Sequence, residues 1–359
     1  MNIHNTHNTP NSFHVDKMRL LFFDIFYKNN KIYLIMPIYN KPANPLLISV
    51  SINNIELVLS KTFVKDSNEP TLIYIYNLSY TIPKAFIDIT VTCCGIKRSY
   101  KLPHIITPPN SSRHFLTLTT LFKYDYPIFP LFYNYYTSHG VSHFYMYYNG
   151  VVTKELKGFF AKYGSNVTLI EWDFNYWNSR ECKYPHHAQM GQIHHAIYRY
   201  GKECSDYMIF CDLDEYLHIP YSKCKKYEDN NSTGGADKSI TLKKFIQDNP
   251  DTDIFGFCNI WANTANGILP PRPFLPDTIL TVETKNEYCD RSKNIYKLDS
   301  IETIGIHQLL NPTRFNELQS ITDLSMYHFY NWSRTSRIME NCNIVTSTAA
   351  AAATPTQTL

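Results

Sequence analysis

Short apolar runs dominate the first hundred residues of the chain. Between Leu20 and Leu102, seven runs rich in β-branched and aromatic residues are separated by Asn, Pro and Ser: LLFFDIFY, KIYLIMPIY, PLLISVSI, IELVLS, TLIYIYNL, AFIDITVTCC and IKRSYKL. Runs of this length, bounded by turn residues, are typical of an all-β sandwich. We therefore predict a β-sandwich domain over residues 18–102, after a disordered polar leader at residues 1–17. A linker with paired prolines follows at residues 103–113.

Strands and helices alternate after this linker. Strand patterns occupy residues 114–122, 143–150 and 166–173 and the start of 206–217, and helix patterns that end at Gly occupy residues 127–140, 152–164 and 188–201. This alternation predicts right-handed crossovers and a mainly parallel sheet, in an α/β domain over residues 114–340. Residues 341–359 form a low-complexity tail that we expect to be disordered. The division predicts that removing residues 1–110 leaves ligand binding by the α/β domain intact.

Composition narrows the class of protein. The 359 residues are 44% hydrophobic and 18% charged, which suits a folded chain and not a disordered one. A net charge of +3 without a dense Lys/Arg run gives no indication of nucleic-acid binding. No signal peptide or membrane-spanning run is visible. We therefore expect a cytoplasmic protein, with a Golgi-type lumen as the alternative if an anchor lies outside this sequence. The oligomeric state is open.

The cysteine pattern supports the same compartment. The nine cysteines include no C-x-x-C pair, so zinc-site spacing is absent. We favour free thiols in a reducing compartment over disulfides.

The segment DYMIFCDLDEYL carries the clearest chemistry. An apolar run without charge, Tyr207–Cys211, is followed at once by Asp212, Asp214 and Glu215. Open α/β sheets bind ligands at the carboxyl ends of their strands. Clustered carboxylates there repel one another unless a cation is present, and Mg²⁺ and Mn²⁺ bind carboxylates together with substrate phosphates. We predict a Mn²⁺ or Mg²⁺ site at Asp212 and Asp214; the alternative is an acidic turn without a ligand.

An ordered series of segments resembles glycosyltransferase family 92. The segments are SHGVSHFYMYYNG (138–150), NVTLIEWD (166–173), Gln192 with HHAIYRYG, DYMIFCDLDEYL, DIFGFCNIWANTANG (253–267), RSKNIYKL (291–298), IGIHQ (304–308) and MYHFYN (326–331). The resemblance covers about residues 114–331. It implies a GT-A fold, with a Rossmann-like, mainly parallel sheet and flanking helices. It also implies inverting transfer of a hexose, often galactose, from a UDP-sugar to a glycan acceptor.

The resemblance also implies roles for individual residues. Asp212 and Asp214 match the metal-binding D-x-D, His328 matches a late element that completes the metal shell, and Lys293 matches a basic position for the pyrophosphate. Tyr124-Asp125 replaces the Asn-Glu pair usual in the family, which puts the nucleotide contacts near that strand in doubt.

Further residues are candidates for the donor site and for the catalytic base. We expect nucleotide-sugar contacts from Asp173, Asn149, Gln192 and His307. Asp173 ends the strand predicted over residues 166–173, and His307 follows the apolar run IGI. Inversion requires a base that accepts the proton of the attacking hydroxyl. The candidates downstream of the D-x-D are Glu283, Glu287 and Asp290, and a solvated loop is the alternative for each.

Two other functions are compatible with parts of this pattern. A catalytically inactive carbohydrate-binding protein on a glycosyltransferase scaffold would grip glycans with its β-sandwich, but it would have no need for the Asp212/Asp214 pair. A sugar nucleotidyltransferase would share the metal and diphosphate chemistry. It would also need a Gly-rich phosphate loop near the first strand, which LTTLFKYDYP does not provide.

Overall fold

The fold is taken from a computed structural model. It describes residues 9–15, 20–37, 48–64, 71–78, 85–105, 113–176, 187–219, 240–263, 281–282, 291–314 and 318–329. The chain divides into two compact units. Unit 1 comprises Met1–Leu121, His143–Phe210 and Tyr296–Leu318, and unit 2 comprises Phe122–Ser142, Cys211–Ile295 and Gln319–Leu359. This division does not follow the predicted linker at residues 103–113.

Unit 1 begins with a β-rich region, which confirms that the N-terminal runs form strands. The strands are β1 (Phe13–His14), β2 (Leu20–Phe22), β3 (Asp24–Lys28), β4 (Lys31–Ile35), β5 (Ile48–Ile52), β6 (Ile55–Glu56), β7 (Leu59–Val64), β8 (Thr71–Asn77), β9 (Phe86–Cys93) and β10 (Ile96–Ile105). They follow one hydrogen-bonded order, β6-β5-β9-β10-β3-β4-β8-β7, with β1 paired to β2. Within that order β10 and β3 are parallel. A sandwich of two packed sheets stays a prediction, because one continuous order does not establish it.

Tight turns connect three of these strand pairs. The two turn residues have positive φ in each case: 48° and 62° at Asn29-Asn30, 49° and 63° at Asn53-Asn54, and 51° and 76° at Cys94-Gly95. Two-residue hairpin loops favour this conformation because its twist matches that of the strands, and Asn and Gly adopt it most readily. Cys94 therefore lies in a turn rather than in the strand that the sequence predicts.

The predicted leader is partly structured. Phe13, in β1, is completely buried and pairs with Phe22 in β2. The two rings meet edge to face with centroids 5.7 Å apart. The prediction of a disordered leader over residues 1–17 is therefore wrong at Phe13 and His14.

The remainder of the described chain alternates strands and helices. The strands are β11 (His114–Phe122), β12 (His143–Tyr148), β13 (Val167–Glu171), β14 (Ser205–Phe210), β15 (Glu215–His218), β16 (Ile254–Asn263), β17 (Thr281–Val282), β18 (Lys293–Lys297), β19 (Ile301–Ile304), β20 (Leu309–Pro312) and β21 (Ser320–His328). The helices are α1 (Phe129–Ser138), α2 (Lys154–Ala161), α3 (Ala188–His195) and α4 (Leu242–Gln247). Thr153 caps α2 by accepting a hydrogen bond from the Leu156 amide, and Thr241 caps α4 in the same way.

In unit 1 these elements form a parallel arrangement. The strand order is β13-β12-β11-β14, in which β12 pairs in parallel with β13 and β11 with β14. Helix α3 continues into a π-helical segment, Ala196–Gly201, so the predicted helix over residues 188–201 changes its hydrogen bonding half-way. His194 and His195 are both buried.

One face of β3 is bound to this helix by buried charges. Asp24 Oδ2 accepts hydrogen bonds of 2.8 Å from both His195 Nε2 and Arg199 Nη1. His195 Nδ1 lies 2.7 Å from the Tyr147 hydroxyl, which must donate because Nε2 already carries the proton given to Asp24. Although burial opposes its ionisation, Arg199 and His195 lower the pKa of Asp24. The carboxylate therefore stays charged inside unit 1.

Lys28, four residues further along β3, caps the π-helical segment. Its ammonium donates to the carbonyl oxygens of Tyr198, Arg199 and Lys202 at 3.1–3.2 Å, and it lies 2.8 Å from Glu203 Oε2. Residues two apart on a strand share a face, so Asp24 and Lys28 project from the same side of β3. The predicted boundary at residues 103–113 therefore does not separate the β-rich strands from α3.

Unit 2 has its own mixed strand order, β18-β16-β21-β15, with β17 on β16. Strands β16 and β21 are parallel, and β15 and β21 are antiparallel. Helix α1 is tied to β15, because the Tyr136 hydroxyl donates to the carbonyl of Glu215 at 2.8 Å and the Tyr135 hydroxyl donates to that of Leu217 at 2.6 Å. Both units thus combine strands with helices, which is compatible with the predicted α/β fold.

The cysteines do not all match the prediction of free thiols. Cys93, Cys94, Cys204 and Cys211 are free, but Cys258 is disulfide-bonded. The prediction is therefore wrong at Cys258. Among the described helices, none has the length and apolar character needed to cross a membrane.

Candidate active site

The acidic segment of unit 2 forms a turn between two strands. The chain leaves β14 at Phe210, passes through Asp212, Leu213 and Asp214, and enters β15 at Glu215. Leu213 is buried and anchors the turn. The carboxylate of Asp212 is 39% exposed, whereas that of Asp214 is 5% exposed. The two aspartates therefore differ in their access to solvent, and Asp212 is the more open to a ligand.

Lys293, the first residue of β18, places a buried ammonium against these acids. Its Nζ lies 3.0 Å from Asp212 Oδ2 and 3.3 Å from Glu215 Oε2. Although burial opposes the charged form, the carboxylates of Asp212 and Glu215 raise the pKa of Lys293. Burial raises the pKa of Glu215, whereas the positive charge of Lys293 acts to lower it. The shorter contact and the greater exposure of Asp212 make it the principal counter-ion of the lysine.

His328, the last residue of β21, faces the same turn. Its register partners are Glu215 on β15 and Trp261 on β16, and its ring stacks on that of Trp261 with centroids 4.7 Å apart. Its Nε2 lies 3.5 Å from Asp214 Oδ2, and its Nδ1 lies 3.8 Å from Glu215 Oε1. Although burial acts against it, the hydrogen bond and charge of Asp214 raise the pKa of His328. Four predicted residues, Asp212, Asp214, Lys293 and His328, therefore lie together in unit 2.

A further acid lies near this turn. Asp125 follows β11, a strand that pairs in parallel with β14, and its Oδ1 accepts a 3.3 Å hydrogen bond from the Lys123 amide. Burial raises the pKa of the Asp125 carboxyl to about 6, and the negative charges of Asp214 and Asp212 act in the same direction. Sequence reasoning treated Asp125 only as a departure from the family pattern. Its place shortly after the strand predicted over residues 114–122 is the signal that was available.

The other described candidates lie in unit 1. The Asn149 amide donates to the carbonyls of Trp172 at 3.0 Å and of Phe174 at 2.6 Å, so it holds a turn together. Gln192 is buried and donates to Thr119 Oγ1 at 2.7 Å. These contacts give both side chains structural roles. A contact of either with a nucleotide sugar stays a prediction.

Asp173 and His307 are both exposed, Asp173 just after β13 and His307 between β19 and β20. Their roles in donor binding stay predictions. The candidates for the base, Glu283, Glu287 and Asp290, lie outside the described residues.

The chemistry of the site suits a divalent ion that arrives with phosphates. Within the described part of the chain, no group of three or more His, Cys, Asp or Glu side chains is arranged to hold a metal. Asp214 and His328 do offer one oxygen and one nitrogen, and the buried Nδ1 of His328 has no hydrogen-bond partner among the described residues. Mg²⁺ commonly takes only one or two protein ligands and completes its shell with phosphates and water. The residues present therefore fit such an ion.

A comparison with family models shows the family to which the chain belongs. The model described as glycosyltransferase family 92 matches residues 116–347, which is more than half of the chain. The chain belongs to glycosyltransferase family 92. The predicted resemblance over residues 114–331 is confirmed, and the match extends beyond it. A family 92 chain is a glycosyltransferase, and its substrates are a sugar donor and an acceptor.

Comparisons with individual proteins add little to the family 92 assignment. The chain is similar to 4-diphosphocytidyl-2C-methyl-D-erythritol synthase from Anaerococcus prevotii, with 9% identity and a TM-score of 0.30, over 65% of this chain and 96% of that one. It is also similar to amylomaltase from Corynebacterium glutamicum, with 7% identity and a TM-score of 0.16, over 36% of this chain and 21% of that one. Neither likeness is close enough to support a conclusion. A search of curated proteins finds no match.

Proposed function

We propose that this glycosyltransferase moves a hexose, galactose in the first instance, from a UDP-sugar to a glycan acceptor with inversion and with the help of Mn²⁺ or Mg²⁺. One observation carries the proposal: the D-x-D turn, Lys293 and His328 meet in unit 2, with an ammonium 3.0 Å from Asp212 and an imidazole 3.5 Å from Asp214. Acids alone would repel a nucleotide diphosphate. Acids combined with the Lys293 ammonium and a metal-binding imidazole are suited to holding a nucleotide diphosphate.

The charges support a diphosphate bound through a metal. Three carboxylates, Asp212, Asp214 and Glu215, surround one lysine and one histidine, so the described groups leave the site no net positive charge for a diphosphate. A divalent cation held by Asp214 and His328 would reverse that balance. When bound, it would act as a Lewis acid that neutralises the departing diphosphate. Lys293 would keep Asp212 in place and present its ammonium to the same phosphates.

The remaining groups would complete donor and acceptor binding. Asp125, near the carboxyl end of β11, would lie in the donor site, because ligands of open α/β sheets bind at such strand ends. Asp173, Asn149, Gln192 and His307 remain our candidates for further donor contacts. The base that accepts the proton of the attacking hydroxyl would be one of Glu283, Glu287 and Asp290.

A thermal-shift experiment with the full chain tests this proposal. UDP, GDP, UDP-galactose and UDP-glucose are each added with Mn²⁺ or with excess chelator, to the wild type, Asp214→Ala and Asp88→Ala. A ligand at about 100 times its Kd stabilises the folded state by about 2.7 kcal/mol, which gives a clear rise in Tm. We expect the uridine nucleotides to raise Tm only with Mn²⁺, in the wild type and in Asp88→Ala, whose carboxylate is exposed.

The outcomes are distinct. Retained Mn²⁺-dependent UDP binding in Asp214→Ala would refute the metal assignment, and equal UDP binding in chelator would refute metal dependence. Binding of a UDP-sugar without transfer to any of a panel of glycans would favour the inactive carbohydrate-binding alternative.

A further inference from the structure

Glu215 contacts three of the site residues but is itself closed to substrate. Its side chain is 2% exposed. Its Oε2 accepts a 2.7 Å hydrogen bond from the main-chain amide of Asp212 and lies 3.3 Å from Lys293 Nζ. Its Oε1 lies 3.8 Å from His328 Nδ1. The two carboxylate oxygens are therefore directed at different parts of the site.

The position of Glu215 is fixed from outside the site. It begins β15, and its carbonyl accepts the 2.8 Å hydrogen bond from the buried Tyr136 hydroxyl of α1. The next residue, Tyr216, is also completely buried. Main chain and side chain are therefore held by the core of unit 2, and the carboxylate has little freedom to follow Asp212 or His328 if these move.

We infer that Glu215 is a positioning residue for sugar transfer. Its Oε2 fixes the D-x-D turn at the Asp212 amide and sets the place of Lys293. Groups that hold a metal ligand in place are nearly as important for metal binding as the ligands themselves. Asp214, a predicted metal ligand, lies on the turn that Glu215 fixes. The inference rests on the proposed function only where it names the reaction and the metal.

The first measurement does not depend on activity. Amide hydrogen exchange at Asp212 is followed in the full-length wild type, Glu215→Gln, Glu215→Ala and Glu155→Gln. Glu155 is an exposed acid in the first turn of α2 and serves as the matched control. We expect exchange about tenfold faster or more in Glu215→Ala, because it loses a hydrogen bond to a charged acceptor. Glu215→Gln, whose amide oxygen still accepts, should lie between, and Glu155→Gln should match the wild type.

The second measurement separates positioning from simple stabilisation. Mn²⁺ is titrated calorimetrically into each folded variant in the presence of UDP, at a temperature well below its Tm. Loss of a group that holds a metal ligand in place typically weakens metal affinity or activity by about 10–100-fold. We expect that loss in Glu215→Ala and a smaller loss in Glu215→Gln. A purely structural Glu215 would lower Tm and leave the Mn²⁺ affinity of the folded protein unchanged.

The inference and the proposed function can fail separately. Unchanged exchange at Asp212 together with unchanged Mn²⁺ affinity in the Glu215 variants would overturn the inference. If the wild type binds neither Mn²⁺ nor UDP, the proposed function fails, and exchange at Asp212 then decides alone whether Glu215 fixes the turn. If Glu215→Ala does not fold, Glu215→Gln gives the same comparison.

Discussion

Asp24 and Arg199 form an ion pair inside unit 1, with Asp24 Oδ2 2.8 Å from Arg199 Nη1 and no exposed surface on Asp24. The pair joins strand β3 to the π-helical segment after α3, 175 residues further along the chain. With His195 as a second partner of Asp24, the N-terminal strand is a structural component of the unit that contains α3. A buried pair of this kind stabilises little by itself, but breaking it leaves an uncompensated charge.

Replacing Asp24 should therefore destabilise the protein strongly. Asp24→Ala leaves the Arg199 guanidinium buried without its carboxylate, and we expect a loss of about 3–5 kcal/mol in the free energy of unfolding. Urea denaturation measures it, with Asp88→Ala on the exposed face of β9 as the control. A loss below about 1 kcal/mol, which is typical of an exposed ion pair, would show that water solvates the Arg199 guanidinium in place of Asp24.

Deleting residues 1–110 should prevent α3 from folding normally. The sequence pattern predicts that this deletion spares ligand binding, but the structure indicates otherwise, because it removes both Asp24 and Lys28. We expect the fragment 111–359 to be insoluble or to unfold without cooperativity. Co-expression with the fragment 1–110 should restore a soluble complex. A monomeric 111–359 fragment with cooperative unfolding would contradict this.

Local patterns predicted much of the fold and part of the site. The β-branched runs and the Asn pairs between them correspond to strands and turns such as Asn29-Asn30. The D-x-D turn could be found because the apolar run of β14 ends abruptly at charges. The partners of Asp24 could not, because nothing local links residues that lie 171 and 175 positions apart. A lone acid within the apolar run LLFFDIFY was the only signal that a buried partner was needed.

Two further features could not be predicted from the sequence. They are the role of Glu215 and the change from α-helical to π-helical hydrogen bonding within residues 188–201. Asp212, Asp214 and Glu215 look alike in the sequence. Only the fold shows that the side chain of Asp212 is partly exposed and that Glu215 is buried. A π-helical segment has no hydrophobic period of its own in so short a stretch. Its capping by Lys28 depends on a distant strand.

Removing the Lys293 ammonium should lower the activity with the UDP-sugar by more than a loss of folded protein would explain. Lys293→Met leaves Asp212 and Glu215 without their shared cation. Loss of one preorganised charge or donor at an active site typically costs about 10²–10³-fold in rate. We expect kcat/KM for the UDP-sugar to fall by about that factor in Lys293→Met and less in Lys293→Arg. The exposed Lys157→Met is the control, and equal kinetics in all four proteins would remove Lys293 from the donor site.

Two glycine substitutions should have opposite effects on stability. A Cβ at Gly191 would collide with the Phe23 ring, which stacks on Trp172 with centroids 5.4 Å apart. Gly191→Ala should cost about 1–3 kcal/mol, as overpacking of a core usually does. A Cβ at Gly158 in α2 meets nothing within 4 Å, so Gly158→Ala should stabilise by up to about 1 kcal/mol through helix propensity. Thermal unfolding of both variants gives the two signs.

His194 should make the protein less stable as the pH falls. Its Nδ1 donates to the Met190 carbonyl at 2.8 Å, and its Nε2 accepts from the Ile304 amide at 3.4 Å, so the folded ring is neutral and uses both nitrogens. Burial lowers the pKa of His194 to about 4. In the unfolded chain an ordinary histidine has a pKa of about 6.5. Between these values the unfolded state binds a proton that the folded state does not, so stability decreases as the pH falls from about 6.5 to about 4.

The contribution of His194 can be isolated by a matched variant. His194→Asn keeps a donor for the Met190 carbonyl and removes the titrating ring. Other groups also titrate in this range, and Asp125, with a pKa raised to about 6, acts with the opposite sign. The informative quantity is therefore the difference in unfolding free energy between wild type and His194→Asn. As the pH falls through this range, the wild type should lose stability relative to His194→Asn by up to about 1.4 kcal/mol per pH unit. Parallel curves from pH 7 to pH 4 would mean that His194 is protonated in the folded protein or exposed to solvent.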